Sequence, residues 1–210
     1  ERLGWAPEEQ DGNIIALTRD KAQITLEPGG QIELSGEPCE SIHCTYAEFD
    51  QHIRELLEVT EPLGIIFLGL ARQAVSRLEQ IEWVPKQRYR IMAPYMLKVG
   101  KLGQRMMKQT ATVQANIDYS DEKDAMAKFR TGMGLAPVLV AMFANSPICD
   151  GQLNGYRSFR EHIWTDTDRN RSGLLKFAFA PEVSFAHYVE YALDVPMYFI
   201  VRNKNYIDMT

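Results

Sequence analysis

Two glutamates on either side of a Pro-Gly-Gly step form the first chemistry-bearing pair in this sequence. From position 23 to 35 the odd residues are Gln23, Thr25, Glu27, Gly29, Gln31, Glu33 and Ser35. The even positions 24, 26, 32 and 34 are Ile24, Leu26, Ile32 and Leu34. This period-two alternation predicts extended backbone with a kink or tight turn at Pro28-Gly29-Gly30, and it puts Glu27 and Glu33 on one polar face. Two carboxylates on one side of a sheet can share a hard divalent cation such as magnesium, and the glycines admit close approach of backbone or phosphate. An ordinary solvated sheet face satisfies the same pattern. A second polar face is formed by Thr112, Gln114, Asn116 and Asp118, opposite Val113, Ala115 and Ile117. Amide side chains on a strand can orient a nucleotide or a substrate, although an exposed strand face would read the same way. A third stretch, residues 154–171, gathers Arg157, Arg160, Arg169 and Arg171 around Trp164, Asp166 and Asp168. Guanidinium forks hold carboxylates and phosphates in two-point contacts, and a salt-bridged surface loop is the alternative. Pro85-Lys86-Gln87-Arg88-Tyr89 is a further, weaker basic-aromatic cluster.

The elements that must carry these groups follow from periodicity. Residues 1–22 read as irregular. Thr45-Tyr46-Ala47-Glu48 fits a capping box, and Phe49, Ile53, Leu56 and Leu57 follow at helical spacing, so a helix is expected over about 46–61. Pro62 and Gly64 stop it. Residues 65–70 read as a buried strand and 71–87 as a loop. A helix is expected over about 89–107, with a break at Pro94 or Gly100. Residues 112–118 read as a strand. A long helix follows, capped at Ser120 or Asp121, and continues to about 144. Residues 145–173 read as a long loop of the kind that is functional or a lid. A helix over 185–193 and a strand over 197–201 complete the pattern.

Composition narrows the possible functions. With 45% hydrophobic and 24% charged residues over 210 positions, the chain is neither disordered nor low-complexity, and it is long enough to fold without staples. A net charge of −5 with no basic stripe excludes a typical nucleic-acid partner. The longest apolar stretches, 63–71 and 135–144, are too short for a bilayer crossing. Cys39, Cys44 and Cys149 are sparse, odd in number and not at zinc-knuckle spacing. They read as reduced thiols in a cytosol-like compartment. The four histidines show no metal-ligand spacing, and no P-loop or dinucleotide-binding glycine motif is present. The first residue is Glu1 rather than methionine, and a piece of a longer protein is expected.

Taken in order, six segments resemble the plant and proteobacterial type of glutamate–cysteine ligase. They are residues 26–36 (Leu26-Glu-Pro-Gly-Gly-Gln-Ile-Glu-Leu-Ser-Gly36), 85–92 (Pro85-Lys-Gln-Arg-Tyr-Arg-Ile-Met92), 112–116, 143–147, 162–168 (His162-Ile-Trp-Thr-Asp-Thr-Asp168) and 191–198. The resemblance covers roughly residues 13 to 210 and implies an α+β, glutamine-synthetase-like catalytic domain. Such a domain has a curved, mostly antiparallel sheet with helices outside, and residues 1–210 would form part of this single domain. The implied activity is ATP-dependent ligation of the glutamate γ-carboxylate to the cysteine amine through a γ-glutamyl phosphate, the first step of glutathione synthesis. The implied partners are small molecules (glutamate, cysteine and ATP) with magnesium as cofactor. Glu27 and Glu33 would hold magnesium, and Gln114 and Asn116 would orient nucleotide or metal. Arg88 and Arg160 would grip carboxylates or the acyl phosphate, and Met107 and Trp164 would shape the glutamate pocket. A cytoplasmic setting is implied, or a plastid if the source is a plant or alga.

The sequence departs from the family at several points. After its Leu-Gly step the family runs Phe-Gly-Phe-x-Pro-Lys-Trp, whereas this chain has Leu70-Ala-Arg-Gln-Ala-Val-Ser76. That change leaves another amine acceptor open, and the expectation of a piece of a longer protein leaves open a domain that binds nucleotide and glutamate without turnover. The plant form's regulatory cysteine is replaced by Tyr46, so switching through that disulfide is not expected. Further metal-binding glutamates are expected on a strand before residue 1.

Overall fold

The computed structural model describes residues 3–203 and 205–210. The chain divides into two compact units. The first runs through Gly69 and takes in Glu82–Tyr89, and the second holds Leu70–Ile81 and Arg90–Thr210.

The first unit is built on an antiparallel meander of β1 (Ala6–Gln10), β2 (Asn13–Arg19), β3 (Ala22–Leu26) and β4 (Ile32–Ser35). Residues 1–22, expected to be irregular, therefore carry strands. The overlooked signal is Asp11-Gly12, whose φ values of 52° and 76° are those a two-residue hairpin turn demands. Strand β1, Ala-Pro-Glu-Glu-Gln, has no apolar alternation by which periodicity could find it. The Pro28-Gly29-Gly30 step is a tight turn rather than a kink. Gly30 has φ 82°. The Gly30 amide donates to the Glu27 carbonyl, and the Glu27 amide to the Gln31 carbonyl, each at 2.8 Å. The register pairs Ile24 with Leu34, Thr25 with Glu33 and Leu26 with Ile32, so the four apolar residues share one face.

Helix α1 (Ile42–Thr60) starts earlier than expected. Ser41 is its N-cap and accepts from the Cys44 amide, while Glu48, expected in a capping box, accepts the Glu37 amide at 2.7 Å. Helix and sheet are tied at Glu55, which receives the Trp5 indole N–H at 3.0 Å and Arg19 Nη1 at 2.8 Å. The Arg19 guanidinium also lies 4.2 Å from the Trp5 ring centroid. Cys39 and Cys44 are joined by a disulfide with Cα atoms 5.6 Å apart, whereas Cys149 is free. This corrects the reading of three reduced thiols. The first turn of α1 brings Cys44 back over the preceding loop, a proximity that spacing alone does not reveal.

The second unit contains most of α2 (Gln87–Val99), then α3 (Gly103–Gln109), α4 (Glu122–Met142), α5 (Phe159–Trp164) and α6 (Phe185–Asp194). Two hairpins join them: β5 (Ile148–Cys149) with β6 (Gln152–Leu153), and β7 (Phe199–Arg202) with β8 (Asn205–Asp208). The expected long helix breaks at Gly100, not at Pro94, which stays inside α2. Asp121 caps α4 by accepting the Asp124 amide at 2.9 Å. Residues 145–173, expected to be a loop, hold the β5–β6 hairpin and α5. Met96, Met107 and Ile163 are buried, as are Met126 and Ala178. Phe129 meets Phe177 and Tyr188 with ring centroids 5.8 and 5.9 Å apart, packing α4 against the 3-10 turn Lys176–Phe179 and α6.

Two expected strands are absent. Residues 65–70 and 112–118 run without strand assignment, and their apolar residues face solvent, with Ile66 at 79% and Val113 at 83% exposure. Alternation reports which residues would suit a pleated face. A strand also needs a neighbour for its amides and carbonyls, and no described segment supplies one here. The architecture is α+β, with antiparallel pairing within each of three separate sheets among the described residues.

Candidate functional site

In the first unit the β3–β4 hairpin brings the two glutamates to one face. Glu33 stands opposite Thr25, and Glu27 lies two positions beyond Thr25 at the turn, so the carboxylates are diagonal neighbours. Glu33 is exposed and Glu27 half-buried. Residues 84–89 lie against the turn, with the Val84 amide donating to the Pro28 carbonyl at 2.9 Å. Gln87, the first residue of α2, donates its amide to Gln10 Oε1 at 2.9 Å. Arg88 Nη2 stands 3.7 Å from Glu27 Oε1 and donates to the Tyr89 hydroxyl at 2.9 Å. Lys86 is buried, at 6% exposure. Burial pushes its ammonium below the usual lysine range; Arg88 adds to that, while Glu27, Glu33 and Glu8 oppose it. Burial likewise raises the Tyr89 phenol, so it stays protonated near neutrality. Carboxylates and cations thus alternate around a glycine turn.

In the second unit Arg160 and Trp164 share α5, with the guanidinium carbon 5.9 Å from the indole ring centroid. Arg160 also pairs with Glu161. Its Nε–H is buried and has no partner, so the side chain keeps one unspent donor. The start of α5 is fixed by Ser146, whose Oγ accepts the Arg160 amide at 3.0 Å and whose carbonyl accepts the Phe159 amide at 3.3 Å. Met107 lies in α3 and is buried at 4% exposure. Gln114 and Asn116 are hydrogen-bonded to each other at 3.0 Å on an exposed stretch. Their expected strand is missing, and the segment that carries them runs without strand assignment.

The remaining charges of residues 154–171 are largely internal. Arg171 donates Nε and Nη2 to the Pro196 carbonyl at 3.0 and 2.6 Å, and Nη1 to the Tyr95 hydroxyl at 2.8 Å and Asp168 Oδ2 at 2.6 Å. Tyr198 donates to the same carboxylate at 3.3 Å, and its own phenol, buried beside Asp168, is pushed up to about 12 despite Arg171. Asp168 and Arg171 form a structural clamp, the salt-bridged alternative that the sequence left open.

Sequence reasoning overlooked a second buried polar cluster. Arg72 is 2% exposed. It donates Nη1 to the Ile148 carbonyl at 3.0 Å and Nη2 to Gln109 Oε1 at 2.7 Å. Arg105 reaches the same Gln109 oxygen at 3.1 Å and grips Asp150 with two bonds of 3.2 and 3.0 Å. Arg72 lies in the stretch 71–87 that reads as a loop, and no local spacing singled it out.

Magnesium is the metal that the resemblance implies. Among the described residues no group of three or more His, Cys, Asp and Glu gathers to form an all-protein cage. The donor chemistry of Glu27 and Glu33, two carboxylates on one face, is of the kind magnesium takes, since that ion uses one or two hard carboxylates and fills its other positions with phosphate oxygens and water.

Comparison with known proteins gives the same direction over the whole chain. Glutamate–cysteine ligase B, chloroplastic, of Oryza sativa subsp. japonica is 53% identical over 210 residues, which is all of this chain and 42% of that protein. The chloroplastic glutamate–cysteine ligase of Nicotiana tabacum is 52% identical over 208 residues, 99% of this chain and 40% of that protein. That of Arabidopsis thaliana is 50% identical over 210 residues and 40% of its own length. The chain therefore spans about two fifths of the length of these relatives. The model of glutamate-cysteine ligase family 2 (GCS2) matches residues 5–209, and the chain belongs to that family.

Proposed function

We propose that the intact protein is an ATP-dependent ligase that joins the γ-carboxylate of glutamate to the amine of cysteine, the first step of glutathione synthesis. The observation that carries this reading is identity of about half to plant glutamate–cysteine ligases along the entire chain. The side chains support it. A carboxylate is a poor electrophile until a phosphoryl group makes its oxygen a leaving group, and phosphoryl transfer relies on cations and positioned donors. Glu27 and Glu33 would hold magnesium, which supplies charge neutralisation on the phosphates. Arg88, beside Glu27, would meet an anionic oxygen with a permanently charged fork. Arg160, with its unspent Nε–H, would hold a glutamate carboxylate, and Trp164 and Met107 would wall that pocket. Gln114 and Asn116 would orient the nucleotide. We further assign residues 1–210 to one catalytic domain of glutamine-synthetase-like build, a reading supported by the antiparallel meander of the first unit and by helix α1 tied to it at Glu55. No described helix is long and apolar enough to cross a membrane. The chloroplastic setting of the relatives supports the plastid alternative over the open cytosol.

The test is ADP formation by the intact protein with magnesium, glutamate and cysteine, each omitted in turn. Turnover requiring all three is expected, and turnover indifferent to glutamate would overturn the reading. A panel of amines belongs in the same assay, because the divergent segment 70–76 turns Arg72 and Ala74 inward. Glutamate-dependent turnover with another amine would move the acceptor and keep the mechanism.

A further inference from the structure

We infer that Arg72 is a positioning residue for the anion site at Arg160. The inference rests on the proposed function, and it adds a residue from the segment that departs most from the family pattern. Arg72 touches three separate parts of the second unit. Its Nη1 bonds the Ile148 carbonyl in β5, its Nη2 bonds Gln109 at the end of α3, and its guanidinium carbon lies 5.1 Å from the ring centroid of Phe159, the first residue of α5. Arg160 is the next residue in that helix. The ring of Phe159 is thus fixed from one side by a buried cation, and the Arg160 backbone is fixed by Ser146.

The charge count explains why a cation stands there. Among the described residues no carboxylate lies within ion-pair distance of Arg72, and its Nε–H is buried without a partner. Its neighbour Arg105 consumes Asp150 in a two-point contact. The cluster of two arginines and one aspartate therefore holds one positive charge more than it neutralises. A buried, uncompensated guanidinium is expensive in an apolar interior. It is tolerated where neutral acceptors and an aromatic face share its charge, as Ile148, Gln109 and Phe159 do here. Its field also favours an anion nearby. Arg72 is enclosed and cannot itself touch a ligand. It acts through Phe159 and Gln109, holding α5 so that Arg160 presents its remaining donor, and through its surplus charge. Gln109 lies two residues after Met107 in α3, so the same residue braces the element that carries the proposed pocket wall.

The experiment compares Arg72→Met, Arg72→Lys and Phe159→Leu with wild type in the intact protein. It reads kcat and KM for glutamate and for ATP, together with Tm. Loss of one cation–π contact and its aligned charge predicts a glutamate KM raised about tenfold in Arg72→Met, with kcat and the ATP KM within about twofold of wild type. Arg72→Lys keeps the charge and should recover part of that loss. Phe159→Leu keeps the charge and removes the stack, and should raise the glutamate KM in the same direction. A lowered Tm with unchanged glutamate KM in both Arg72→Met and Phe159→Leu would make Arg72 a structural residue only and overturn the inference. If Arg72→Met does not fold, Phe159→Leu and Arg72→Lys decide it by the same reading. Wild-type protein without glutamate-dependent turnover would overturn the proposed function itself, an outcome visible before any variant is made.

Discussion

Arg160 and Arg171 lie eleven positions apart, and they differ in what their nitrogens have left to give. Every guanidinium nitrogen of Arg171 is already bonded to Pro196, Tyr95 or Asp168. Arg160 has Glu161 as its side-chain partner and an unpaired, buried Nε–H. A donor without a partner costs free energy in the interior, and an arriving carboxylate or phosphate oxygen would repay that cost. Arg160→Ala should therefore remove a charge-assisted contact worth about 1.5–3 kcal/mol, roughly 10- to 150-fold in kcat/KM for glutamate. Arg171→Ala should instead lower Tm, because it strips the Asp168 and Tyr198 clamp. Steady-state kinetics beside thermal melts separates the two, and the assignment fails if Arg160→Ala leaves kcat/KM for glutamate unchanged. Spacing alone could not rank these arginines, since both sit in one basic-aromatic segment; the resemblance gave a role to Arg160 only, and the hydrogen-bond inventory divides them independently. The pairing of Glu27 with Glu33 was legible because two-residue alternation across a glycine turn nearly dictates a shared face. Arg72 was not legible, since nothing in local spacing reveals that a cation will be buried against a ring 87 positions away.

At the scale of elements, periodicity located α1, α4 and α6 well, because an apolar helical stripe and a cap are local properties. It failed where an element depends on a neighbour. Residues 65–70 and 112–118 carry strand-like patterns without a ladder partner, and β1 is a strand without the pattern, paired because the Asp11-Gly12 turn folds it onto β2. The break between α2 and α3 belongs to the second kind. Pro94 has the stronger local claim to end the helix, yet the helix ends before Gly100. A Cβ at Gly100 would meet the Thr167 carbonyl oxygen at 2.1 Å and the Asp166 oxygen at 2.5 Å. The Leu102 amide donates to that Asp166 carbonyl at 2.9 Å. Backbone here packs on backbone, and only glycine leaves room. Gly100→Ala should force the 100–102 and 166–167 segments apart and destabilise the protein by about 1–3 kcal/mol. A chemical-denaturation midpoint equal to wild type would show that the approach is looser than the geometry implies.

Across the whole molecule the perturbed carboxylates all move the same way. In Glu55, burial acts upward, but the hydrogen bonds from Arg19, Trp5 and Gln51 outweigh it and hold the carboxyl at about 2, from an ordinary 4.5. Asp150 is lowered by its bonds to Arg105, Asp124 by Lys128 and Ser120, and Asp208 by Thr210. A carboxyl whose folded value is depressed gives its full stabilisation above its unfolded value and loses it as pH falls toward the folded one. His52 adds an earlier step. Burial pushes it below its ordinary 6.5, with Arg19 assisting against Glu55 and Glu48, and its Nδ1 is buried without a partner. The unfolded chain therefore takes up a proton at His52 before the folded chain does, so stability falls as pH drops through 6.5. Urea midpoints measured from about pH 8 down to about pH 3 should decline in two stages, a shallow one near the histidine range and a steeper one as pH falls through the ordinary carboxylate range. His52→Gln should abolish the first stage and leave the second. Glu55→Gln should lower the midpoint at neutral pH and flatten the second, since the depressed carboxyl that titrates there is gone. A single acid transition unchanged by His52→Gln would mean that His52 is solvated and titrates alike in both states.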